Sequence, residues 1–332
     1  MKKGNKNIAN ILMDNAVIIL IIISAIVVGI AKTNFLSATN IKNLIVNTSV
    51  RFVIALGISG CLIMRNNDLS AGRQVGFAGC IAATLLQRAD YSGRVFPNLP
   101  EMNMWVVMIL VMVLFAVTIG LINGLVVSKM HVPAFIGTYG MQTVVYGICM
   151  VFTGSQPIGG LQKAYTDLCS GSLFGIDYLP YLGVMAAIVG VFMYFLYNHT
   201  PYGKKMYAIG GNPAAAEVAG INTTKMTIIS YMLAAALFAL AGFMLAGKAG
   251  GTAVSLGQGY ELFAIAGCTI GGVSVNGGIG TVPGILVGVL VFEVLKLEMQ
   301  FLGIDVAYTY IVQGIVIVVA IAMDIRKYTV KK

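Results

Sequence analysis

The stretch TPYGKKMYAIGGNPAAAEVAGINTTK, Thr200–Lys225, interrupts a chain that is otherwise almost entirely apolar. It lies between an apolar run at 180–197 and another at 226–246, each near the ~20 residues that a membrane helix needs. A polar segment between two such runs must sit on one wet side of a bilayer, so its reading sets the orientation of everything around it. Within it, Asn212 can cap a helix, Pro213 suits the first helical position, and Ala214–Ala219 propagates it. Gly220 suits a left-handed helix end. The predicted helix, Pro213–Ala219, is too short to persist alone in water. It must rest either on the protein's own face or in the groove of a soluble partner.

Composition agrees with a membrane setting. The 332 residues are 58% hydrophobic and only 10% charged, where soluble domains carry about 25%. Mean hydropathy is +0.89. Forty glycines suit close helix approach in lipid. The net charge of +9 does not point to nucleic acid, because the basic residues are scattered at the ends of apolar runs. The start, MKKGNKN followed by an apolar run, resembles a signal peptide but lacks a small-residue cleavage site, so it reads as a retained first span.

Ten candidate runs are visible: 16–31, 50–64, 74–87, 104–127, 133–152, 180–197, 226–246, 260–275, 281–297 and 308–323. The second, third and eighth are short, and read as extended into their flanks or broken. With the N-terminus inside, thirteen of the 21 Lys and Arg fall on inner segments, Arg65 and Arg73 among them, and seven on outer ones. That bias predicts both termini in the cytoplasm and places the polar segment, 200–225, there too. The fold class expected is an all-α polytopic membrane protein forming one domain over 1–332. Leu56–Leu86 and Ile265–Leu295 each run apolar, then broken, then apolar, a loose internal similarity of the sort found in transporters.

No pattern carries catalysis or metal binding. The five cysteines match no zinc or haem spacing and read as packing residues. His131 and His199 sit at polar ends of runs without an acidic or second histidine neighbour. Gly242–Ala249 has phosphate-loop spacing but ends in alanine, without the hydroxyl that holds magnesium. Asp68, Ser70, Arg73 and Gln74 form a polar break near or inside the bilayer, either a structural turn capped by Asp68 or a gate. Gly120 and Gly124, and Gly280, Gly284 and Gly288, predict close helix packing. Asn123, Tyr139, Gln142, Tyr146, Tyr310 and Gln313 supply planar polar or aromatic surface that could line the path of a polar ligand, or else tie helices together. Glu293 and Lys296, three apart, read as a self-neutralising pair.

Several strings resemble the sugar-permease branch of bacterial ATP-binding-cassette importers, which serves ribose, xylose, arabinose and galactose. These are AIGGNPAAAEVAGIN (208–222), GLINGLVV (120–127), VPAFIGTYG (132–140) and GGVSVNGGIGTVPG (271–284). SVRFVIALG, NDLSAGRQVG, VFPNLP and YELFAIAG are similar to its galactose and methyl galactoside members in particular. Ala214-Ala215-Ala216, three residues, then Gly220 resembles the Glu-Ala-Ala-x-x-x-Gly loop of these importers, with Ala214 in place of the glutamate. The resemblance implies an inner-membrane permease that pairs with a second copy of itself, a cytoplasmic ATPase and a periplasmic sugar-binding protein. It implies ATP and magnesium on the ATPase and no cofactor here. It assigns ATPase coupling to Gly211, Asn212, Pro213, Ala215, Ala216, Glu217 and Gly220. The alternative is a secondary transporter driven by an ion gradient, with Asp68 as its best-placed ionisable group.

Overall fold

The computed structural model describes residues 16–329, which form helices joined by short connections. They are α1 (Ala16–Ala31), α2 (Ala38–Ile63), α3 (Ala71–Leu85), α4 (Met104–Ser128), α5 (Ala134–Thr153), α6 (Lys163–Ser170), α7 (Tyr181–His199), α8 (Pro201–Gly211), α9 (Pro213–Val218), α10 (Thr223–Ala249), α11 (Tyr260–Ile270), α12 (Val282–Phe301) and α13 (Val306–Thr329). Lys2, Lys3, Lys6, Lys331 and Lys332, counted above for topology, lie outside the described residues.

Helices α2, α4, α5, α7 and α10 are long and apolar enough to cross a bilayer, and α1, α11 and α13 contain shorter apolar helices. Burial sorts the five long ones by place. The most apolar windows of α2 and α10 are 78% and 72% buried, whereas those of α4, α5 and α7 are 22%, 17% and 28% buried. Thus α2 and α10 are the axis of the bundle, and the other three turn apolar faces outward, where a bilayer would cover them. Gly120 and Gly124 let α4 press on α10: a Cβ on either would lie 2.7 Å from a Cα of that helix. A π-helical turn, Ala116–Gly120, falls at this contact. Gly284 and Gly288 likewise face the α11 backbone at Gly271 and Gly267, so both glycine spacings pack within the chain. The phosphate-loop look-alike lies inside helix α10, where Gly242 packs on α3.

Local sequence explains the helix ends. Ser37, Asn222 and Thr281 each accept a bond from a backbone N–H in the first turn of α2, α10 and α12. The run at 50–64 belongs to a helix that begins at Ala38, and the run at 260–275 stops as a helix at Ile270. At one end of the bundle Lys42 pairs with Asp177, Arg88 N–H meets Gly160, and Ile158 bridges Thr252. The segment 153–179 is more built than a loop: α6 buries Tyr165 and Cys169 against α10, the Tyr165 hydroxyl donating to the Phe243 carbonyl. At the other end, about 39 Å away along the 26 residues of α2, Arg65, Gly210 and Gly278 come together.

Helices α3 and α11 do not span that distance. Their 15 and 11 residues cover about 22 and 16 Å. From the Arg65 end the chain climbs through Asn66–Ser70 before α3 starts; from the opposite end it descends through 253–259 before α11 starts. The two N-termini meet at mid-depth. A Cβ on Gly72 would stand 2.4 Å from the Gly257 carbonyl and 2.0 Å from a Glu261 oxygen, so only glycine admits this approach. The pattern helix, break, helix holds for both Leu56–Leu86 and Ile265–Leu295. Their breaks touch where a Cβ on Gly277 would lie 2.4 Å from Arg65 Cγ, and Gly278 N–H donates to the carbonyl of Ile63, the last residue of α2, at 2.8 Å.

Candidate functional site

Two groups of residues stand out, one inside the bundle and one at its Arg65 end. The inner group gathers where the half-helices begin. Asp68 Oδ1 accepts from the Ser70 N–H at 2.9 Å and its hydroxyl at 2.5 Å. Ser70 Oγ in turn accepts from Gln74 Nε2 at 2.8 Å and Asn123 Nδ2 at 3.0 Å. Thr138 accepts the Leu69 N–H at 3.0 Å, and the Tyr231 hydroxyl donates to the Asn67 carbonyl at 2.8 Å. Asp68, Ser70 and Gln74 are fully buried, and Asn123 nearly so. Among the described residues Asp68 Oδ2, Gln74 Oε1, Asn123 Oδ1 and Glu261 Oε2 have no partner. Asp68 lies just before α3 and Glu261 in the first turn of α11. Each carboxylate therefore sits by the positive end of a half-helix, which offsets part of the cost of burying it.

Two sequence expectations change here. Asp68 does not cap α3; Ser70 holds the cap position, and Asp68 fastens the turn before it. Arg73 does not belong with the inner basic residues. On the first turn of α3 its guanidinium stacks 4.0 Å over the Tyr146 ring and reaches the Val254 carbonyl, on the loop that descends from the opposite end. The count on that side falls from thirteen to twelve, five of which lie outside the described residues. A third correction concerns Glu293. It pairs with Arg51 of α2 at 2.6 Å rather than with Lys296, because helix α2 packs against that face.

The residues proposed for a sugar path are not brought together. Asn123 joins the Asp68 cluster. Tyr139 and Gln142 sit on α5, with Tyr139 on its outer surface; Tyr310 and Gln313 sit on α13, with Tyr310 exposed and Gln313 buried. Sequence reasoning left Glu261 unmarked, although a lone carboxylate opening an apolar run was a visible signal. Among the described residues no group of His, Cys, Asp and Glu is placed to hold a metal ion, and all five cysteines are free.

The second group is the polar segment quoted at the outset. Pro201 opens α8 and Thr200 caps it. Arg65 grips the far end: Nε donates to the Gly210 carbonyl and Nη2 to the Gly211 carbonyl, both at 2.8 Å. A cation at the C-terminus of α8 also complements its dipole. Asn212 then caps α9, its Oδ1 accepting from the Ala215 N–H at 3.1 Å. Helix α9 runs Pro213–Val218, and Gly220 follows at φ +82. Ala216 is buried under it, whereas Val218 is 91% exposed. Glu217 accepts a 2.6 Å bond from the Thr223 hydroxyl. Tyr207 on α8 donates to the Gly280 carbonyl at 2.8 Å, and burial pushes its phenol above the usual tyrosine range, so it stays a donor. The short helix thus sits on a base wired to both breaks, with Ala214, Ala215 and Val218 exposed.

Residues 40–321 match the family described as branched-chain amino acid transport system / permease component, and the chain belongs to it. It is a membrane permease component, a transport subunit rather than an enzyme. Among its relatives, the galactose/methyl galactoside import permease protein of Escherichia coli (strain K12) is 38% identical over 99% of each chain. That of Haemophilus influenzae is 38% identical over 97% of each, and the ribose import permease protein of Escherichia coli (strain K12) is 32% identical over 95% of each. No solved structure matches the chain.

Proposed function

We propose that this chain is the membrane-spanning subunit of an ATP-driven importer in the bacterial inner membrane that carries galactose or methyl galactosides. The family description names branched-chain amino acids, but the relatives that share 38% of the sequence over nearly its whole length are named for galactose and its methyl glycosides. That similarity carries the sugar assignment. In this reading ten segments cross or enter the bilayer, α3 and α11 as half-helices, and both termini face the cytoplasm.

The capped, half-bare α9 supports the mechanical part. A two-turn helix with one buried and one bare side suits the groove of a cytoplasmic ATPase, which would hold ATP and magnesium. Movement of α9 passes through Gly210–Gly211 to Arg65 and so to the break before α3, and through Tyr207 to the break before α12. The half-helices then shift between outward- and inward-open arrangements. A periplasmic binding protein delivers the sugar, and a second copy of the chain completes the assembly. Mild detergent extraction of the native complex should bring down an ATPase and a galactose-binding protein together. Recovery of the chain without an ATPase, in a membrane that takes up galactose through it, would overturn the proposal.

A further inference from the structure

A groove of about 690 Å³ opens at the Arg65 end of the bundle, between the end of α4 and the start of α10. Lys129, His131 and Lys225 line it, with the Thr224 hydroxyl, and no Asp or Glu does. Among the described residues neither lysine forms an ion pair. The first turn of α10, 27 residues long, closes one side with the positive end of its dipole. The floor is apolar: Ile228 and Ile229 are half-buried. Beside the groove the same connection presents Met130, Phe135 and Ile136, each at least 60% exposed. Met130 lies in the link between α4 and α5, and Phe135 and Ile136 in the first turn of α5.

We infer that this groove binds the phosphate of an anionic phospholipid, with the acyl chains continuing along α4 and α5. A free phosphate would use the cations but not the isoleucine floor or the bare apolar wall. A lipid uses both, and its phosphate lies at the depth where a span ends. Basic pockets between helices on the cytoplasmic side are favourable places for such headgroups. Lys225 closes the polar segment that carries α9, so the lipid would clamp α4 to the stem of that segment.

The test is native mass spectrometry of the full chain extracted from mixed phosphatidylglycerol and phosphatidylcholine vesicles. The wild type should retain phosphatidylglycerol in preference to phosphatidylcholine. Lys129→Gln with Lys225→Gln should weaken that retention roughly thirtyfold with helical content unchanged, and Lys129→Arg with Lys225→Arg should restore it. Equal retention of both lipids by the wild type overturns the inference whatever the variants do. So does millimolar inorganic phosphate, if it shields both lysines from amine labelling as well as phosphatidylglycerol does; the ligand is then a soluble anion. Full lipid retention by the glutamine variant, with loss of a co-purifying soluble protein, would make the groove a protein interface instead.

Discussion

Glu293 and Arg51 meet at 2.6 Å with their side chains 2% and 13% exposed, and the guanidinium also lies 5.2 Å from the Tyr260 ring and 5.4 Å from the Phe263 ring. Two charges so placed stabilise the bundle only as a pair, because each alone is a buried charge without a partner. Glu293→Leu should therefore cost about 3–5 kcal/mol, and adding Arg51→Met should recover most of it. Thermal unfolding of the four members of that cycle in one detergent checks this; an additive double variant would contradict it. The pair joins residues 242 apart, and only packing of α2 on α12 reveals it. Spacing along one helix pointed to Lys296 instead, since sequence shows neighbours at i+3 and nothing across the fold.

Helix α9 was legible because its signals are local. A cap at Asn212, proline at the first position and glycine at the end all act within nine residues, and the structure places them so. Asn212→Ala removes the cap at a cost of about 0.5–2 kcal/mol. Gly220→Val meets no neighbour, since nothing lies within 4 Å of its Cβ, but must hold φ +82 at about 1–2 kcal/mol. The rest of the bundle does not depend on either residue. Each variant should leave the unfolding temperature nearly unchanged while weakening ATPase association roughly 5- to 30-fold. Binding at wild-type strength would contradict the role given to α9. The half-helices were less legible. The runs at 74–87 and 260–275 showed that something was short, but not that α3 and α11 start at mid-depth facing each other. That follows from the approach at Gly72, which joins loop 253–259 to a residue 185 positions earlier.

For the whole molecule, hydropathy found the five helices long and apolar enough to cross a bilayer, and burial divides them into the axis of α2 and α10 and the outward α4, α5 and α7. Hydropathy could not make that division, because the axial and outward helices overlap in mean hydropathy, 1.6 and 2.2 against 1.4 to 2.9. The bundle has one end where α8, α9 and the two breaks are hydrogen-bonded together. In the proposed mechanism, work applied there reaches mid-depth through these covalent and hydrogen-bonded links. The most direct measurement is galactose accumulation by vesicles holding this chain, with and without the ATPase and binding protein. Accumulation should need both partners and ATP, and should survive dissipation of the ion gradients. Uphill accumulation by the chain alone, driven by an ion gradient, would contradict the account.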